Sequence, residues 1–252
     1  MDEPFLKKSY CCRCTNDEDT CKNGHTKCLK IFLEKNNPNR EIKYTKQVTY
    51  EGDDYESTKY IKTSLLHIAC KKGNGDCVNI LLKDEHIDPN ILNDDEETPL
   101  QMICERKTKF NKDIILMLLL QHPRVNINGH HSKYSWSSLT TPFYSYIYNI
   151  VYFFECGSEY NLQIIKLFLE RNADMTDTKD GTKNIFELIC CDHNISITQD
   201  VIKLLLESGK VPQSFIKEVQ NRFKTNLFKK NILKLINEWE DSALDIKEPS
   251  EE

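Results

Sequence analysis

Apolar residues recur in short groups along the chain, and each group follows a residue that favours the start of a helix. Four such groups follow Ser64, Thr98, Thr141 and Asn184, whose side chains can accept a hydrogen bond from the first helical turn. Thr98 and Thr141 are each followed by proline, which is favoured at the first helical position because its missing N–H is not needed there. The pattern therefore predicts a helix at each of the four positions.

A leucine-rich segment follows each of these helices and predicts a second helix. With an earlier copy near the N-terminus, the last leucines of these segments are Leu33, Leu82, Leu120, Leu169 and Leu206. They are separated by 49, 38, 49 and 37 residues. The repeating unit is thus a pair of short helices, and each pair must pack against its neighbours to bury its apolar face.

The best-formed unit, residues 64–90, resembles the ankyrin repeat. That family has units of about 33 residues with a T-P-L-H-x-A signature and a leucine-rich second helix. Here L-H-I-A stands at residues 66–69 and D-P-N at 88–90, while N-A-D at 172–174 and D-G at 180–181 are close to the family's hairpin residues. The resemblance implies an all-α, ankyrin-type helix-pair solenoid that binds another protein and is not an enzyme.

We expect about five to six units with degenerate terminal caps in a single domain, residues 1–240. The predicted units are 4–39, 62–92, 96–128, 139–176 and 182–209, followed by a cap at 212–240 and a disordered acidic tail at 241–252. In the opening unit, residues 4–14 and 26–34 are the expected helices, with the polar run 16–19 looped between them.

Spacings above 33 residues predict long loops between or within the units. The segment 40–61 is extended, tyrosine-rich and charged, as in a long hairpin, and 129–139 lengthens a connection. The segment 149–160 either lengthens the first helix of its unit or widens the turn that follows. In that unit Tyr146 stands where the family prefers alanine.

Composition and charge narrow the function classes. The 252 residues are 39% hydrophobic, the net charge is −5, and the lysines are scattered among acids, so no basic surface for nucleic acid is predicted. The chain begins without the basic and then apolar run of a secretory signal. Ser145 and Asn149 interrupt its longest apolar stretch, which is too short to span a bilayer. We expect a cytoplasmic monomer with a protein partner, no cofactor and no membrane insertion.

Eleven cysteines require an explanation. Five lie in register with the repeat and are expected to be buried as small apolar groups: Cys70, Cys104 and Cys190 in first helices, and Cys28 and Cys77 in second helices. The alternative is a zinc-stabilised regulatory protein, because Cys11, Cys14, Cys21 and His25 are four zinc-type ligands within 15 residues. On the packing interpretation, Cys14 and Cys21 are loop thiols and His25 lies in a turn before a second helix.

Catalytic patterns are absent from the sequence. His67 occupies the position of the family's motif histidine and is expected to be structural. The acids at 94–97 lack calcium-loop spacing, no glycine-rich phosphate loop occurs, and the aromatic run 143–154 is expected to pack.

The predicted partner-binding groove consists of hairpin tips and the ends of first helices. Its candidate residues are Lys71, Lys72, Asp94, Asp95, Glu96, Glu105, Arg106, Lys133, Tyr134, Trp136, Thr178 and Lys179. Tyr134 and Trp136 rank first, because these residue types are enriched at binding hot spots. The alternative is that both anchor their inserted loop.

Overall fold

The computed structural model describes helices and one β-hairpin in most of the 252-residue chain. The described residues are 17–35, 42–49, 56–105, 112–129, 141–153, 162–176, 183–191, 195–226 and 229–245. The chain divides into two compact units, Met1–Leu139 and Thr140–Glu252.

The described residues of the first unit form three helix pairs and a hairpin. Its elements are α1 (Asp17–Asn23), α2 (Thr26–Lys35), β1 (Ile42–Thr49), β2 (Glu56–Thr63), α3 (Leu65–Lys72), α4 (Gly75–Lys83), α5 (Pro99–Glu105) and α6 (Lys112–Gln121). The first helices of successive pairs pack together, α1 on α3 and α3 on α5, and the second helices do likewise, α2 on α4 and α4 on α6. This gives an inner layer of first helices and an outer layer of second helices.

The second unit repeats the arrangement of inner and outer helices. Its elements are α7 (Pro142–Phe153), α8 (Leu162–Glu170), α9 (Ile185–Cys191), α10 (Ile195–Glu207), α11 (Gln213–Phe223) and α12 (Lys230–Asp245). The inner helix α9 packs on α7 and α11, and the outer helix α10 packs on α8 and α12. The predicted helix-pair repeat is therefore confirmed in both units.

All four predicted helix caps form. In each case the capping side chain accepts a hydrogen bond from the backbone N–H three residues later, which satisfies a donor at the start of the helix. The bonds are Ser64 Oγ with His67 N (3.3 Å), Thr98 Oγ1 with Gln101 N (3.2 Å), Thr141 Oγ1 with Tyr144 N (3.3 Å) and Asn184 Oδ1 with Glu187 N (2.8 Å). Local sequence thus fixes where four consecutive inner helices begin, namely α3, α5, α7 and α9.

Equivalent positions of the units supply the core. Ala69, Cys70 and Cys104 in the inner helices of the first unit are buried, as are the closing leucines of its outer helices, Leu82 and Leu120. In the unit where Tyr146 replaces the usual alanine, the ring is also buried and lies 5.9 Å from the ring of Phe168. Because an aromatic contact fills the space, the repeat register is kept there.

The segment 40–61 contributes a long antiparallel hairpin. Strands β1 and β2 pair from Ile42 opposite Thr63 to Thr49 opposite Glu56. The N–H of Asp94 donates to the carbonyl oxygen of Lys62 at 3.1 Å and fixes the base of the hairpin to the next connection. The repeats are all-α, as predicted, and the hairpin is inserted between two of them.

The opening helix differs from the prediction. The polar run expected to be a loop begins α1, and Cys21 is a fully buried helix residue instead of a loop thiol. Acidic residues in the first turn suit the positive end of the helix dipole, and Glu18 forms an ion pair with Lys22 one turn later. The predicted helix at 4–14 lies outside the described residues.

The ends of helices α7 and α12 decide two further predictions about segment boundaries. Helix α7 continues to Phe153, so residues 149–153 lengthen the helix. Helix α12 continues to Asp245, so the predicted start of the tail at residue 241 is wrong, because no proline interrupts the helix before Pro249. In the part of the chain that the structure describes, no helix is long and apolar enough to cross a membrane.

Candidate functional site

The described groove candidates all belong to the first unit. Lys71 and Lys72 are exposed in the last turn of α3, Glu105 is half-buried at the end of α5, and Asp94 and Asp95 are exposed before α5. Glu96 belongs to the turn before α5. The other six candidates lie outside the described residues: Arg106, Lys133, Tyr134, Trp136, Thr178 and Lys179.

The acids precede α5 in a tightly built turn, residues 93–97, which we call the acidic tip. The side chain of Asn93 holds it together. Its Oδ1 accepts from the N–H of Asp95 and from the N–H of Glu97, both at 2.9 Å, and its Nδ2 donates to the Glu97 carboxylate at 2.9 Å. Within this turn Glu96 adopts a φ of +59°, which is uncommon for a non-glycine residue. The turn is therefore fixed by side-chain bonds while Asp94 and Asp95 face solvent.

His67 attaches the acidic tip to the preceding unit. Its Nε2 lies 3.0 Å from the carbonyl oxygen of Glu97, and its Nδ1 lies 2.7 Å from Ser64 Oγ. A carbonyl can only accept, so Nε2 carries the proton and donates. The imidazole is buried and bonded at both nitrogens, so His67 is a structural residue that helps position the exposed acids.

Different side chains occupy the same helix position in the other repeats. Tyr144 donates from its hydroxyl to the carbonyl oxygen of Lys183 at 3.1 Å, just before the next capped helix. Glu187 is buried in α9 and forms an ion pair with Arg222 of α11. Gln101 returns to the cap of its own helix, where its Oε1 accepts from Thr98 N at 3.1 Å. The position is polar in each repeat, but the partner changes with the residue.

Basic side chains close the C-terminal ends of outer helices in both units. Arg124 donates to the carbonyl oxygens of Asp84, Glu85 and Ile87 at 2.8–2.9 Å, after α4. In the second unit Lys210 contacts the Leu169 carbonyl at the end of α8, and its Nζ lies 2.6 Å from Asn172 Oδ1. A cation suits the negative end of a helix, so these residues have a structural role.

Comparison with known proteins agrees with this arrangement. Residues 66–161 match the family described as ankyrin repeats in three copies. The chain thus contains ankyrin repeats within residues 66–161. A crystal structure of an ankyrin repeat domain from Acinetobacter baumannii AYE is similar in fold, with a TM-score of 0.56 and 14% identity over 88% of this chain and 96% of that one. No curated protein matches the sequence. Ankyrin repeats are generally protein–protein interaction modules and typically non-enzymatic.

The five in-register cysteines are buried, as predicted. Burial raises the pKa of Cys70 and Cys190 well above the usual range and raises the pKa of Cys104 to about 12, because the thiolate is poorly solvated there. Such thiols remain protonated at neutral pH and pack as small apolar groups.

Only two of the four ligands of the alternative zinc cluster, Cys21 and His25, are among the described residues. Cys11 and Cys14 lie outside them. Cys21 is fully buried and hydrogen-bonds to Cys77, which lowers the pKa of Cys77. His25 lies in the turn before α2, where its N–H donates to Thr20 O at 2.9 Å. No group of three potential metal ligands occurs among the described residues, and packing between inner and outer layers accounts for Cys21.

Proposed function

We propose that this protein is an intracellular interaction module, an adaptor, inhibitor or effector, that binds a partner protein through the inner-helix ends and hairpin tips. The acidic tip carries the proposal. Its two exposed carboxylates stand on a turn whose backbone is bound by Asn93 and, through Glu97, by His67. Groups held in one geometry before binding lose less entropy when a partner arrives. The chemistry of the tip suits a basic patch on that partner.

The neighbouring inner-helix ends extend this surface. Lys71 and Lys72 close α3 and Glu105 closes α5, so the inner-helix face carries charges of both signs in addition to the acidic tip. Mixed charge favours selection of one partner over others, because a mismatched partner places like charges together. Buried free thiols fit a reducing compartment such as the cytoplasm, and we propose that location.

A charge-matched pair of variants tests the acidic tip. The full chain serves as bait, and the dissociation constant of the captured partner is then measured with purified components. Asp94→Asn with Asp95→Asn should weaken binding at least about tenfold, in the range of hot-spot residues. Asp76→Asn with Glu85→Gln removes two exposed charges from α4 and its following loop and should change binding less than about twofold. Equal effects of the two pairs would refute the role of the acidic tip.

Tyr134 and Trp136 remain our candidates for aromatic anchors of the same interaction. Replacing both with alanine should weaken binding at least about tenfold and leave the melting temperature nearly unchanged. A lower melting temperature with unchanged affinity would instead show that the two side chains anchor their loop.

A further inference from the structure

The long hairpin is an incomplete sheet. Each strand has eight residues and is about 27 Å long at about 3.4 Å per residue. A two-stranded hairpin is marginally stable by itself, and a third strand or a packed helix is what usually completes it. Within the described residues the sheet consists of β1 and β2 alone.

The two edges of the hairpin are not equivalent. On the β2 side, the Lys62 carbonyl accepts the N–H of Asp94, so the base of that edge is tied to the acidic tip. On the β1 side, no further strand is paired in the part of the chain that the structure describes. Every second residue of a strand directs its N–H and C=O to one side, so the outer edge of β1 presents donors and acceptors to an incoming strand.

Lysine lies opposite lysine at two positions of the hairpin register. Lys43 pairs with Lys62, and Lys46 pairs with Lys59. Like charges at directly opposed positions destabilise an antiparallel pair. The strands contain one acid, Glu56 opposite Thr49, whereas Glu51, Asp53 and Asp54 belong to the connection between the strands. The register therefore concentrates positive charge along the strands of a protein whose net charge is negative.

Edge lysines often protect a sheet from pairing with a second copy. That role fits Lys43 and Lys46, because two paired copies of β1 would carry lysine on both strands and no acidic residue. The same lysines attract a strand that carries acidic residues. They can therefore repel a second copy of the chain and attract an acidic partner at the same edge.

We propose that β1 accepts an extended acidic segment of a partner protein as a third strand. Lys43 and Lys46 are three residues apart on β1, so the segment would carry two acidic residues three positions apart, one opposite each lysine. A polypeptide is the fitting occupant because its backbone supplies the donors and acceptors that a strand edge requires, which a nucleic acid backbone does not. This inference rests on the proposed function and names the chemistry of one part of the partner.

Short peptides test the pairing without the natural partner. The probe is a capped, fluorescein-labelled ten-residue peptide of threonine and serine with two glutamates three positions apart. A second peptide has glutamine at both positions, and a third keeps the glutamates but has a proline between them, which removes a backbone donor. By fluorescence anisotropy with the full chain at low salt, the first peptide should bind at least about fivefold more tightly than either of the others.

Matched variants of the full chain locate the site. Lys43→Gln with Lys46→Gln should weaken binding of the glutamate peptide at least about fivefold, and Lys59→Gln alone should weaken it less. Lys30→Gln with Lys83→Gln removes the same charge from exposed positions of α2 and α4 and should leave binding within about twofold. Circular dichroism confirms that each variant retains its helices.

Three outcomes would overturn the proposal. One is no binding of the glutamate peptide at all. Another is equal binding of the proline peptide or of a ten-nucleotide oligothymidylate, which would show general attraction of anions. The third is equal weakening by the control variant Lys30→Gln with Lys83→Gln. None of these bears on the acidic tip, whose variants and readout are separate.

Discussion

His67 donates a hydrogen bond from Nε2 to the carbonyl oxygen of Glu97, 3.0 Å away, and thereby joins one helix pair to the start of the next. Tyr144 makes the equivalent bond to Lys183 at 3.1 Å in the second unit. A histidine and a tyrosine thus perform the same task because the helix position, rather than the residue type, places a donor beside the following cap.

Removing the His67 imidazole should destabilise the protein. In His67→Ala the carbonyl of Glu97 and the hydroxyl of Ser64 lose a buried partner, and a cavity remains, so we expect a loss of about 2–4 kcal/mol in the free energy of unfolding. His86, whose side chain is 84% exposed, provides the control, and His86→Ala should cost less than about 0.5 kcal/mol. Urea unfolding measures both. Comparable losses would contradict the assigned bond network.

The register of the best-formed unit is tested by introducing a charge. Ala69 is fully buried in α3, and Ala69→Asp should unfold the protein, because an unpaired buried carboxylate costs several kcal/mol, comparable with total stability. Asp95→Ala at the exposed tip should change stability by less than about 0.5 kcal/mol. Thermal unfolding followed by circular dichroism distinguishes the two, and similar melting temperatures would show that the register is wrong.

Local signals in the sequence predicted the caps. Ser64, Thr98, Thr141 and Asn184 each bind the N–H three residues later, an interaction that depends only on nearby residues. The leucine-rich outer helices were predictable for a similar reason, since their apolar faces must be buried wherever they pack.

Contacts between repeats were harder to predict. Nothing in the family signature indicates that Tyr144 and Glu187 would replace His67, because each depends on a partner more than 30 residues away. The polar run before Cys21 favours a linker, and so the sequence predicts a loop position for this thiol. The Glu18–Lys22 spacing was the available signal for a helix. The sequence predicts a hairpin in 40–61, but it does not predict which lysines lie opposite each other, because that depends on the strand pairing.

Burial of Cys21 separates the N-terminal cysteines into two groups. Cys21→Ser places a hydroxyl in a fully buried site beside Cys77 and should cost about 1–2 kcal/mol of stability. On the packing interpretation, Cys11→Ser with Cys14→Ser should change neither stability nor partner binding. Urea unfolding and the metal content of protein purified without added zinc check both statements. Release of bound zinc by the Cys11 and Cys14 changes would instead support the zinc-stabilised alternative.

Stability should fall at alkaline pH through the buried thiols. Burial raises the pKa of Cys104 from 9.0 to about 12, so the folded protein holds this proton where the unfolded chain releases it. The stabilising contribution is complete below pH 9 and is lost as the pH rises towards 12, at up to about 1.4 kcal/mol per pH unit. Cys104→Ala should show a shallower fall than the unmodified chain in urea unfolding between pH 9.5 and 11. Parallel pH dependences would contradict this assignment.

Hydrogen exchange with the captured partner bound is the most direct test of binding through the inner-helix face, because it follows backbone amides along the chain without a substitution. Binding should slow exchange at the acidic tip, residues 93–97, and at the ends of α3 and α5. The amides of the outer helices α4 and α6 should exchange at unchanged rates. Protection confined to α4 and α6, with none at the acidic tip, would contradict partner binding through the inner-helix face.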